Sequence, residues 1–162
     1  MFNTRAVDPS TSIIALAAMT AGRELQLEEE EDLNVPILVL RLGSPRKADE
    51  GLRLGTVRRP PRGVPKAEFA TRDYYDVWLP ALAPSQALMT LGQRSQDARS
   101  WIAFERKFRA EMNRPDAARL LDLLAALSHQ TSFSVGCYCE NEQRCHRSIL
   151  RKLLAGRGAD FG

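Results

Sequence analysis

Cysteine and histidine are scarce in this chain. Its 162 residues include three cysteines and two histidines. All three cysteines fall between Cys137 and Cys145. A disulfide-stapled secreted domain spreads an even number of cysteines along its length, so that class is excluded. Reduced thiols and a cytoplasmic setting are expected instead. Long apolar runs are also missing. The N-terminal stretch Ile13–Met19 is far shorter than the roughly 20 residues a membrane helix needs, and no membrane association is expected. That stretch weakly resembles a signal-peptide core, but an acidic tract follows it rather than a secreted fold, so export is not expected. Met19 is a second candidate start. No internal repeat and no long low-complexity segment is present.

What remains is an ordinary soluble composition, 44% apolar and 27% charged, with a net charge of +3. The charge is unevenly placed. Glu24 to Asp32 holds six acids and no base, Arg41 to Arg72 nine bases against three acids, and Arg144 to Arg157 five bases and no acid. Two basic segments around one fold suit an anionic ligand, although solvated loops and helix faces would give the same pattern.

Residues 1–32 read as a poorly ordered N-terminal extension, and 33–162 as a single α/β domain. Val35–Leu42 is short, continuously apolar and rich in branched side chains, then stops at Gly43, Ser44 and Pro45. It predicts a buried strand. Residues 43–72 carry four prolines and three more glycines and predict a long loop, with a short strand at Leu52–Val57. Pro84–Leu91 predicts a short helix ended by Gly92. Asp97–Met112 predicts a helix with Trp101, Phe104, Phe108 and Met112 on its core face. Asn113 is the expected N-cap of a following helix with Pro115 in its first turn, ending near Ser128. His129 then suits the helix C-terminal dipole. Thr131–Cys139 predicts a central strand, and a last helix should start near Gln143–Cys145. The order predicts a small Rossmann-like α/β domain, a mostly parallel sheet flanked by helices.

The chemistry concentrates in Cys137-Tyr-Cys-Glu-Asn-Glu-Gln-Arg-Cys-His-Arg147, at a strand-to-helix turn. A thiol in the first turn of a helix gains from the dipole and from Arg144 and Arg147, which makes Cys145 the candidate nucleophile or redox thiol. His146 and Glu140 are candidate proton carriers, though a neighbouring helical residue points about 100° away from Cys145. Cys139 is a candidate resolving thiol, and Cys137 reads as a small buried strand residue. Arg147 and the helix N-terminus would bind an anion. Cys145 to Arg151 also fits C-x5-R, but His-Arg-Ser-Ile-Leu lacks glycine and reads as helix rather than as a phosphate nest. Four soft ligands are present, Cys137, Cys139, Cys145 and His146. Their spacing lacks the usual C-x2-C knuckle, so a metal-clipped turn is an alternative and no metal or cofactor is expected.

The second constellation is Arg58-Arg-Pro-Pro-Arg-Gly63, a stiff turn with three guanidinium groups. Loops at the carboxyl ends of parallel strands gather at one edge, so Arg41, Arg58 and Arg62 are expected to converge on the Cys145 turn. A nucleic-acid- or protein-binding module using this loop is the alternative, though interleaved aromatics are missing.

Gly51–Lys66, Asp76–Ser85 and Trp101…Phe104, followed by Cys139-Glu140 and Cys145-His146-Arg147, resemble domain-of-unknown-function family 488, in its branch with a Cys-His-Arg signature. The resemblance spans roughly residues 35–155. It implies a small Rossmann-like domain whose motif residues here are Arg58, Arg62, Ala83-Pro-Ser85 and Cys145-His146-Arg147. The chain departs from the branch's Trp-Pro-Arg-Gly loop with Pro60-Pro-Arg-Gly63. The resemblance names no reaction. The function expected is binding of, or action on, an anionic small molecule or nucleotide at the Cys-His-Arg turn.

Overall fold

Continuous apolar runs a few residues long become strands only where both faces are covered, and here they form a parallel sheet. The computed structural model describes residues 37–95 and 97–161, so the N-terminal extension and Met19 lie outside the described residues. Four strands, β1 (Leu38–Arg41), β2 (Leu52–Gly55), β3 (Val77–Trp78) and β4 (Phe133–Cys137), pair in the order β1-β4-β2-β3, all parallel. Among the described residues the α-helices are α1 (Gln86–Arg94), α2 (Ala98–Met112) and α3 (Pro115–Leu127), between β3 and β4, and α4 (His146–Ala155) after β4. The α/β reading is correct, and β4 is central as expected.

The pleat sorts side chains onto two unlike faces. Val39, Leu54, Phe133 and Val135 join a core built with Leu88, Phe104, Phe108, Leu121, Ile149 and Leu150 from all four helices. The opposite face carries Leu40, Arg53, Gly55, Ser134 and Gly136. No helix covers it. Leu42, Val57, Tyr75, Phe69 and Tyr74 from loop segments form a smaller second core there, together with Cys137 and Cys145. The loop can close on the sheet because two strand residues lack side chains. A Cβ on Gly55 would stand 2.4 Å from Tyr75 Cδ1, and one on Gly136 would stand 2.3 Å from Leu42 Cδ2.

A buried ion pair pins this loop. Glu50 is 2% exposed and Arg53 is fully buried. Arg53 Nε and Nη2 donate to the two Glu50 oxygens at 2.5 and 2.7 Å. Its Nη1 donates to the carbonyls of Ser44 and Asp73. Ser134 Oγ and the Lys47 amide complete the Glu50 carboxylate. Burial alone would raise the Glu50 pKa, but the bonds from Arg53, Ser134 and Lys47 outweigh it and hold the carboxyl below its ordinary value.

Three local expectations are corrected. α1 runs through Gly92 to Arg94 instead of stopping there. Gly92 is needed inside the helix because a Cβ would meet Phe104 Cε2 at 2.8 Å. Asn113 is the C-cap of α2, and Arg114, with an extended backbone, is the N-cap of α3. β3, a two-residue edge strand, was not expected. Elsewhere the signals hold. Ser85 and Asp97 cap α1 and α2 by accepting from the amides of Leu88 and Ser100. His129 Nε2 lies 2.8 Å from the carbonyl oxygen of Gly158, tying the end of α3 to the C-terminal turn.

The ion pair generates a stability prediction. Arg53→Ala leaves a buried, unmatched carboxylate and should lower unfolding free energy by about 3–5 kcal/mol, read by urea denaturation at neutral pH. Glu50→Gln/Arg53→Met should recover a large part of that loss. Because the Glu50 pKa is depressed in the folded state, its contribution is complete above the usual carboxylate range and is lost as pH falls through the lowered value. The double variant should therefore lose less stability than the native protein between neutral pH and pH ~3. Separately, Gly55→Ala forces the buried Tyr75 ring to move and should cost about 1–3 kcal/mol in the same assay.

Candidate functional site

The connections after β1 and β2 pass over the loop face, whereas those after β3 and β4 lead to helices. Neighbouring strands β2 and β4 therefore send their chains to opposite faces. The crevice at their carboxyl ends is the kind of topological switch point where ligands bind in open α/β sheets. Thr56–Arg59 leaves β2 on one side of it, and Tyr138–His146 leaves β4 on the other.

Thr56 joins the two walls. Its amide and its hydroxyl both donate to the Gly136 carbonyl, at 3.0 and 2.9 Å. Its own carbonyl lies 2.7 Å from His146 Nε2. A carbonyl only accepts, so Nε2 carries the proton and the neutral ring leaves Nδ1 as an acceptor. Cys145 Sγ is 3.8 Å from that Nδ1. Burial of His146 pushes its pKa down to about 4, against the opposing effect of the Thr56 bond, so the ring is neutral at pH 7. The i, i+1 objection to a Cys145–His146 contact does not apply. Cys145 is the N-cap of α4 and has extended dihedrals, while His146 is the first helical residue.

The three sulfur atoms gather at this junction, all within 4.8 Å of one another. Cys137 and Cys145 are buried, and Cys139 is exposed. Cys137 Sγ and Cys139 Sγ are 3.7 Å apart. Thiol donation from Cys137 and then Cys145, aided by the nearby charge of Arg147, holds the Cys139 pKa far below the ordinary thiol value. Those same contacts with its neighbours, together with burial, push the Cys145 thiol up. A single negative charge in the cluster belongs on Cys139.

Arg147 is 3% exposed, in the first turn of α4. Its Nη2 donates to the Glu140 carbonyl at 3.1 Å, while Nε and Nη1 are buried without a hydrogen-bond partner. The Glu140 side chain is exposed and pairs with Arg41 at 3.2 Å, so it holds Arg41 rather than Arg147.

Beside the sulfurs lies a cavity of about 290 Å³, lined by Val57, Met89, Trp101 and Phe104 as well as by Cys137, Cys139, Cys145 and His146. Arg58, Arg59 and Arg144 also line it, and among the described residues no Asp or Glu does. Arg58 donates to the carbonyls of Pro84 and Ala83, both at 3.0 Å. Arg144 lies over the Trp101 ring, 5.8 Å from its centroid. Arg62 lines an adjoining hollow with Tyr74 and Tyr138 and does not reach the cleft. Arg58 thus meets Cys145 across one cavity, Arg41 reaches only the Glu140 end of the turn, and Arg62 stands apart. Sequence reasoning set Arg144 beside Cys145 as a positive charge and counted Arg59 among the guanidinium groups of its turn, but it did not single out either as a wall of the cleft, and it missed Tyr138 and the cleft face of Trp101. The C-x5-R segment from Cys145 to Arg151 lies in α4, where its amides serve the helix.

No helix among the described residues is long and apolar enough to cross a membrane. No curated protein and no solved structure matches the chain. A family model does match it, over residues 37–158, and that span contains every strand and helix of the described residues and all the thiol and arginine side chains given above for the cleft. The chain belongs to the family described as the active DUF488-N3 subclade.

Proposed function

We propose that the chain binds an anionic small molecule with an apolar or aromatic body, a nucleotide in the first instance, in the cleft between β2 and β4. The observation that carries this reading is the composition of the wall. Three guanidinium groups line an apolar cavity and, among the described residues, no carboxylate does. Arginine forks suit phosphate and carboxylate oxygens, and a low-dielectric wall strengthens each such bond. Arg58 and Arg144 are each anchored through part of their guanidinium, which leaves further N–H groups for a ligand at little entropic cost. Val57, Met89 and Trp101 offer the surface for the ligand's body.

Where the ligand is transformed, Cys139 is our candidate for the attacking thiol, because it is the exposed member of the cluster and the one best able to ionise. Cys145, which sequence alone makes the candidate, then stabilises that thiolate together with Cys137, and His146 positions Cys145. We infer a cytoplasmic setting from three free thiols held in close contact. The nucleic-acid reading has less support, since Arg58 and Arg59 turn to Pro84, Ala83 and Gln86, although Arg59 and Arg62 both remain exposed.

Calorimetric titration of the metal-free protein with ADP, AMP, pyrophosphate and adenosine tests the reading. At least one phosphorylated compound should bind at least tenfold tighter than adenosine. Arg144→Ala and Arg58→Ala should each weaken that binding by about 10- to 100-fold. Equal affinity for adenosine and its phosphates would sink the proposal. A single-stranded oligonucleotide that outcompetes every mononucleotide would favour the nucleic-acid alternative.

Thiol reactivity gives a second prediction. Limiting iodoacetamide on metal-free, reduced protein should modify Cys139 ahead of Cys137 and Cys145, as read by peptide mass spectrometry. A bound nucleotide should slow that modification. First modification at Cys145 would return the nucleophile role to it.

A further inference from the structure

The sulfur cluster has a geometry that anion binding does not require. In a tetrahedral zinc site with Zn–S bonds of about 2.3 Å, two sulfurs stand roughly 3.8 Å apart. Cys137 Sγ and Cys139 Sγ are 3.7 Å apart, and all three sulfurs lie within 4.8 Å of one another. Small side-chain rotations would bring the three onto one face of a tetrahedron. The spacing C-x-C works here because Cys137 ends β4 and Cys139 lies in the turn beyond it. Cys145 then returns from the far side of that turn as the N-cap of α4. The missing C-x2-C knuckle is therefore no obstacle.

We propose that Cys137, Cys139 and Cys145 bind a soft divalent cation, zinc in the first instance, as three thiolates. A second, independent observation supports negative charge at this place. Arg147 is buried beside the cluster with Nε and Nη1 unpartnered. A divalent ion with three thiolates carries one net negative charge, which the Arg147 guanidinium balances. Three neutral thiols would leave that cation without a counter-charge. The α4 N-terminus adds to the same field. Binding displaces the thiol protons that remain, so metal uptake acidifies a weakly buffered solution.

Among the described residues the 4.8 Å group contains three sulfurs and no fourth protein donor. All three cysteines line the cleft, so the fourth coordination position opens into it. Three protein ligands with one open position is the arrangement of catalytic rather than structural zinc sites. An oxygen of the anionic ligand, or a water, would take that position. The metal site stands without the nucleotide reading, since nothing in the coordination uses Arg58 or Arg144.

The test uses the full reduced chain, stripped of metal and titrated with Co²⁺. One equivalent should produce intense tetrahedral d–d bands with thiolate-to-cobalt charge transfer, and one equivalent of Zn²⁺ should abolish both. Zinc should also protect Cys139 from iodoacetamide. Cys139→Ser, at the exposed position, should keep the fold by circular dichroism and lose cobalt affinity by at least about 100-fold. Cys145→Ser should do the same, and if it fails to fold, Cys139→Ser carries the test alone. Octahedral cobalt bands without charge transfer would overturn the proposal, as would wild-type affinity in Cys139→Ser. ADP titration of metal-free protein separates the two readings. A loss of nucleotide binding with intact cobalt spectra condemns the anion proposal alone, and the reverse condemns the metal site alone.

Discussion

One buried ion pair pins the loop that covers the second face of the sheet. In a doubly wound fold both faces of the parallel sheet must be covered, because every strand is apolar on both sides. Helices cover one face here, and a loop must cover the other. A loop has no repeating backbone ladder to satisfy its polar groups. Arg53 supplies what the ladder would have supplied, donating to Glu50 and to the carbonyls of Ser44 and Asp73. Its backbone amide adds a bond to Asp76, which in turn takes the Arg46 fork at 2.8 Å on each oxygen. Ser134, directly paired with Arg53 across β2 and β4, closes the network on Glu50. A buried pair of this kind adds little net stability compared with apolar packing. We attribute to it the choice of one loop path among many, a specificity role.

That path decides what the cleft contains. With the 43–76 segment held on the loop face, the chain leaving β2 turns away from the chain leaving β4. Thr56 then bridges the gap through the Gly136 carbonyl and the His146 ring. His146 is buried against Phe108, in an edge-on contact with ring centroids 5.5 Å apart. The imidazole is thereby locked by the helical core on one side and by β2 on the other. The thiol cluster inherits this rigidity, because Cys145 precedes His146 and Cys137 ends the strand that Thr56 clasps. Precise placement of three sulfurs thus traces back to ordinary sheet and core packing.

The sequence revealed the elements whose signal is local and periodic. β1 and β4 announced themselves as short branched runs, and α2 through its Trp101, Phe104, Phe108 and Met112 stripe. What it concealed depends on contacts made far along the chain. Gly92 reads as a helix stop until the Phe104 ring is placed against it. β3 has two exposed residues, Val77 and Trp78, and gives no alternation to detect. The Glu50–Arg53 pair looks like any solvated i, i+3 charge pair. At the site, the thiol cluster was legible because its members are close in sequence. The arginines were legible as a group but not individually. Arg58 and Arg62 differ in fate because Pro60 and Pro61 carry Arg62 past the cleft mouth. Trp101 obeys helical spacing whether it faces core or cleft, and it does both.

The unmatched guanidinium of Arg147 bears on every reading of the cleft. A buried cation with two unpartnered guanidinium nitrogens is costly unless a negative charge lies nearby. Among the described residues that line the cavity no carboxylate supplies one, and the Glu140 side chain is engaged outside with Arg41. The sulfur cluster is the neighbour able to become negative, and Arg147 lowers the Cys139 pKa by its charge. A single thiolate on Cys139 would answer this demand, and so would three thiolates around a divalent ion. Both states carry a net charge of −1, so the protein field that stabilises one stabilises the other. They differ in what neutralises Cys137 and Cys145, which is protons in the first case and metal in the second. Arg147 therefore selects for negative charge at the sulfurs, while the Arg58 and Arg144 walls select for negative charge in the ligand. The two selections rest on different arginines and stay separable by mutation.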